Sequence, residues 1–151
     1  RIPREFHGYS SRKHNQGGLW FFEVDEERKI VLITYEGQGE RYAHGQRGGW
    51  LIWLNETLEC VRVPKNMESI EEALEWLKPA EVKRAEKEGR RVVKFGKFFF
   101  IATKRRHINL KALNKDYKFE VIEGGIRVSH PGYGEVFLDG HNWKAVRRKE
   151  L

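Results

Sequence analysis

Trp50-Leu51-Ile52-Trp53-Leu54 is the stretch on which the fold turns. In an extended chain Trp50, Ile52 and Leu54 point one way while Leu51 and Trp53 point the other, so both faces carry large apolar groups. Asn55-Glu56-Thr57 then turns the chain into a partner strand, Leu58 to Val63, which Pro64 stops. A sheet built this way is covered on both sides, or uses one face as a contact surface. Working back, Leu19-Trp20-Phe21-Phe22-Glu23-Val24 reads as a strand from its aromatic and β-branched content. Asp25-Glu26-Glu27-Arg28 makes a polar turn, and Lys29 to Tyr35 returns as the next strand. Residues 19–64 therefore read as a β-meander, interrupted at 36–49 by a long loop with five glycines.

Upstream of the meander, residues 1–18 are polar and basic, with Arg1, Arg4, Arg12 and Lys13 against the single acid Glu5. They read as a flexible arm, ordered only against a partner. Downstream, residues 65–90 read as a two-helix bracket. Ser69 and Glu72 fit a capping box, and Ile70, Ala73, Leu74 and Leu77 share one helical face. Pro79 separates a second helix, Ala80 to Glu88, with Val82 and Ala85 as its apolar stripe and Gly89 as its stop. Residues 91–151 read as β again, with hairpins around Gly96, Gly124-Gly125 and Asp139-Gly140. Ile108, Leu110 and Leu113 suggest one helical turn within the polar connection 104–116. The expected class is α+β: a β-rich meander plus a small barrel or sandwich, with the helical insertion near 65–90 and one core over residues 19–151.

Length and composition bound the rest. At 151 residues and 17.9 kDa the chain fits one domain, or one with an appendage. No apolar run nears the roughly 20 residues of a membrane-spanning helix, and the opening lacks the apolar stretch of a signal peptide. A cytoplasmic setting without membrane partners is expected. One cysteine, Cys60, leaves no intramolecular disulfide and no cysteine-rich zinc site. One Met and one Cys beside abundant Lys, Glu and Arg resemble a thermophile's composition.

Several segments of the last 60 residues resemble a family. They are Arg91-Val92-Val93-Lys94-Phe95-Gly96-Lys97, then His130-Pro131-Gly132-Tyr133-Gly134 with the strand to Leu138, then Trp143-Lys144-Ala145-Val146-Arg147-Arg148. Together they are similar to uncharacterised small β-rich domains of phages, bacteria and archaea, which open on an Arg-Gln-Gly-Asp-like turn and close on His-Pro-Glu-His. Here Phe95-Gly96-Lys97 replaces Gln-Gly-acid, and His130 stands without the second histidine. The resemblance implies a β fold and no particular chemistry.

Charge gives the strongest functional pointer. Twenty-nine Lys and Arg against 22 Asp and Glu make +7, with an isoelectric point near 9.6. Such a field favours anionic partners, nucleic acid foremost. The candidate phosphate contacts are Arg12, Lys13, Arg41, Arg47, Lys104, Arg105, Arg106, His107, Arg147 and Arg148, all on loops or near chain ends. Trp20, Phe21, Tyr42, Trp50 and Trp53 are candidate stacking platforms, against the alternative that strand aromatics form core. The 36–49 loop offers Gln38, Arg41, His44, Gln46 and Arg47, yet its spacing matches no phosphate-binding loop.

The expected function is a non-enzymatic nucleic-acid-binding module, with single strands or RNA preferred because no exposed basic recognition helix is in view. One alternative is a structural or accessory protein of a virus or mobile element, with its two-faced sheet against a protein partner or a second copy. The other is a small hydrolase or nuclease using loop histidines, such as His130 with Glu135 or His141 with Asp139. No nucleophile or carboxylate pair supports catalysis, and no metal or cofactor is implied.

Overall fold

The structure, a computed structural model, describes residues 2–7, 17–37, 49–54, 58–64, 67–104 and 108–151, of which 2–7, 17–20 and 35–37 are described by backbone alone. The class is α+β, rich in strands with two short helices. The chain divides into two compact units, residues 1–77 with 150–151 and residues 78–149. In place of the single expected core, the buried side chains fall into separate clusters, and the helical bracket is split between the units. Pro79 explains the split, since each helix carries its own apolar stripe onto its own sheet.

In the first unit, strands β1 (Ile2–His7), β2 (Gly17–Asp25), β3 (Ile30–Gly37), β4 (Gly49–Leu54) and β5 (Leu58–Val63) form one antiparallel sheet in that order. The meander is the one that alternation predicts. The flexible arm needs correction: its first part is β1, paired with β2 from Ile2↔Phe22 to His7↔Gly17. Pro3 has no N–H to donate, and an outermost strand is where a sheet tolerates it.

Helix α1 (Ile70–Trp76) lies on one face of this sheet. Ile70, Ala73 and Leu77 are buried with Leu32, Leu51, Val61 and Val63, each large side chain contributing roughly 1.5–3 kcal/mol on full burial. The Ser69 half of the capping box forms, and Glu72 turns back to the residue before the cap. The Glu72 N–H donates to Ser69 Oγ (3.0 Å), and Glu72 reaches back to accept from the Glu68 N–H (3.0 Å). A second acceptor comes from the sheet, because Glu23 Oε2 takes the Ile70 N–H at 3.0 Å. Ser69 Oγ and the Glu23 carboxylate satisfy donors that the first helical turn leaves unpaired.

In the second unit, helix α2 (Ala80–Lys87) ends in a Schellman turn. The Arg90 N–H donates to Ala85 O (2.9 Å) and the Gly89 N–H to Glu86 O (3.0 Å), with Gly89 at φ +74°. Strands β6 (Val92–Phe95) and β7 (Phe98–Ala102) form the Gly96 hairpin, and β11 (Trp143–Arg147) pairs with the other side of β7. Strands β8 (Lys118–Ile122), β9 (Gly125–His130) and β10 (Gly134–Asp139) make a second three-stranded meander.

Phe98 through Ile101 are buried without a break because β7 is covered on both faces. Val82 and Ala85 of α2 pack on Phe99 and Ile101. Phe98 and Phe100 join Ile126, Val128, Leu138 and Trp143 in the core shared by the two small sheets. Neither sheet closes into the expected barrel; among the described residues they remain two three-stranded sheets over one core. In place of a helical turn, Leu113 closes a single turn onto Leu110 O (3.1 Å), and Asn109 bridges in parallel to Lys144.

Candidate nucleic-acid interface

Charge is divided unequally between the units. Residues 78–149 hold nineteen Lys and Arg against eight Asp and Glu, a formal +11, whereas the first unit holds ten against fourteen, a formal −4. The second unit therefore carries the chain's positive charge excess, in a way that the overall +7 conceals.

Of the candidate phosphate contacts, Arg12, Lys13, Arg41, Arg47, Arg105, Arg106 and His107 lie outside the described residues, as do His44 and Tyr42. Lys104 is exposed just beyond β7, and Arg147 is exposed at the end of β11. Arg148 needs correction, because it is only 4% exposed. Its N–H donates to Lys97 O (2.9 Å), which draws the residue inward beside the Gly96 hairpin. Alternation puts Arg147 on the side of the buried Trp143 and Ala145 and Arg148 on the side of Val146, so the contact with Lys97, not the strand's alternation, separates the two arginines.

The aromatic residues sort differently from the expectation. Trp53 is buried in the first core, with Ile30 and Leu32. Trp50 is half-buried on the opposite face, with the Arg62 guanidinium 5.6 Å from its ring centroid. That face follows two rows of the register, Phe22–Ile33–Trp50–Arg62 and Val24–Val31–Ile52–Cys60. It is the second apolar face that the sequence shows, and its end carries Leu54 and Leu58, the latter 69% exposed.

The aromatic cluster that sequence reasoning missed sits in the basic unit, where two separate turns meet. Gly96, at φ +60°, carries the β6–β7 hairpin, and His130-Pro131-Gly132-Tyr133 joins β9 to β10. A β-carbon on Gly96 would lie 2.3 Å from the Tyr117 hydroxyl and 2.8 Å from the Tyr133 ring, so only glycine lets the rings close over the turn. The Lys97 N–H donates to the Tyr117 hydroxyl at 2.9 Å. His130 lies 4.6 Å, centroid to centroid, from both Tyr117 and Tyr133, and Phe95 completes the group 6.1 Å from each tyrosine. Tyr117 and Phe95 are buried, whereas His130 and Tyr133 are partly exposed residues. Arg147 stands in register with Phe98, and Phe98 with Phe95, which brings an exposed guanidinium to this end of the unit.

The two described loop histidines are engaged with backbone. The Gly132 N–H donates to His130 Nδ1 (3.0 Å), so in the neutral ring the proton sits on Nε2. His141 Nε2 hydrogen-bonds Ile122 O (3.1 Å), tying the last hairpin to the end of β8. Asp139, its suggested carboxylate, pairs instead with Arg91 at 3.6 Å. Glu135 is in register with Ser129, one position away from His130 and on the opposite side of the strand. Among the described residues no three His, Cys, Asp or Glu groups converge to hold a metal. No family model, curated protein or solved structure matches the chain.

Proposed function

We propose that the chain is a non-enzymatic nucleic-acid-binding module whose residues 78–149 hold the phosphate backbone of a single strand. The observation that carries this reading is the concentration of +11 on one compact unit of a chain whose total is +7. Lys104 and Arg147 are its exposed arms at opposite ends of β7, and Lys97 lies beside Arg147 at the Gly96 hairpin. The apolar side of α2 is buried on β7 while Lys83, Arg84 and Lys87 are exposed on the helix, so α2 adds cations to the same unit, and the duplex probe tests whether it reads a major groove.

The test is a fluorescence-anisotropy titration of labelled twelve-nucleotide single-stranded RNA and DNA and of duplex DNA, each from 50 to 200 mM salt. Single strands bind more tightly, and log K falls with log salt at about −0.7 for each phosphate neutralised. No binding to any probe at low salt refutes the reading.

The second apolar face of the five-stranded sheet favours one other function, a structural or accessory role through a protein partner. Sedimentation equilibrium tests it: a self-associating chain, indifferent to nucleic acid, would replace the first reading with this one.

A further inference from the structure

We infer that the corner formed by the Gly96 and His130 turns is a stacking subsite for one unpaired nucleobase. The inference rests on the nucleic-acid reading and adds to it a contact with the base. His130 and Tyr133 are partly exposed, yet neither ring is loose. Tyr133 lies against Gly96 and near Phe95, and His130 is fixed by the Gly132 N–H on Nδ1 and by the two flanking tyrosines. Rings held in place before binding lose little freedom when a base stacks on them.

The surroundings suit a nucleotide rather than an apolar ligand. Lys97 is attached to the cluster through its own N–H on Tyr117, and Arg147 stands at the end of the same register row. A base over the rings would thus have cations within reach of its phosphates. Neutral His130 carries its proton on Nε2, where it can donate to a base carbonyl or a phosphate oxygen. A base paired inside a duplex cannot reach such a platform, so the subsite selects single strands.

The experiment compares a dT12 strand with a twelve-unit abasic strand of the same charge. The wild-type chain binds dT12 roughly five- to hundredfold more tightly, as expected for one stacked base. Tyr133→Ala removes most of that ratio while the salt slope stays, and Tyr133→Phe retains it. Thermal melting checks that the variants fold. Independently of any substitution, 2-aminopurine placed mid-strand loses emission on binding wild type. Equal affinity for the two strands, with a normal salt slope and unquenched 2-aminopurine, overturns the subsite and leaves backbone binding standing. No binding of either strand overturns both.

Discussion

Replacing Gly96 with alanine separates two physical effects that usually come together. The backbone there is left-handed, at φ +60°, which costs a residue with a β-carbon about 1–2 kcal/mol. The added methyl also enters space held by the Tyr117 hydroxyl, 2.3 Å away, and the Tyr133 ring, 2.8 Å away. Overpacking of that kind costs a further 1–3 kcal/mol or so. Gly124 is the matched control, since its φ is +82° and a β-carbon there meets nothing within 4 Å. Gly96→Ala should therefore cost about 2–5 kcal/mol and Gly124→Ala about 1–2 kcal/mol. In a unit of this size each kcal/mol moves the melting temperature by about 4–8 °C, so scanning calorimetry of the full chain resolves the difference. Equal losses for the two variants would show that the tyrosines do not close over the Gly96 turn, and the aromatic corner would fall with that result.

The adjacent arginines should part company. Arg147→Ala flattens the salt slope of single-strand binding by about 0.7, the share of one phosphate, while Arg148→Ala lowers the melting temperature because its buried stem no longer fills its site. Phe98→Ala empties a fully buried site between the small sheets and should cost about 3–5 kcal/mol by denaturant titration, whereas Leu58→Ser, on an exposed position, should stay within about 0.5 kcal/mol. Asp25 supplies a pH prediction. The Arg28 N–H on Oδ1 (2.9 Å) and then the Arg28 side chain on Oδ2 hold its carboxyl below the usual carboxylate range. A depressed carboxyl stabilises the fold above its ordinary value, and that contribution is lost as pH falls through the lower folded value. Carboxyl carbon NMR should show a low Asp25 midpoint that moves part of the way back up in Arg28→Ala, which keeps the backbone donor; an unmoved midpoint would remove the Arg28 side chain as a cause.

Local elements were legible because their signals are local. Alternation placed β2 to β5, Ser69 and Glu72 placed the start of α1, and Gly89 placed the end of α2. β1 was hidden because half its residues are polar, Pro3 is among the rest, and its pairing is with residues 17–22, across a stretch that gives no turn signal at hairpin spacing. The two-unit division was hidden for a similar reason. The charge imbalance is written in the sequence, but only a boundary at residues 77 and 78 turns +7 into +11 and −4. The aromatic corner was out of reach altogether, since Phe95, Tyr117, His130 and Tyr133 come from separate turns and strands that only folding brings together. Arg148 fails for want of one fact that composition cannot supply, namely that its backbone pairs with Lys97 beside the Gly96 hairpin, where its side chain is buried.

The measurement that bears most directly on the central claim is amide chemical-shift mapping of the full chain, titrated with a twelve-nucleotide single strand. The account predicts that the largest shifts cluster in residues 78–149, at Lys97, Lys104, Gly132 to Gly134 and Arg147, while the amides of α1 and of β3 to β5 stay in place. Shifts concentrated on the five-stranded sheet, or none at all, would contradict it.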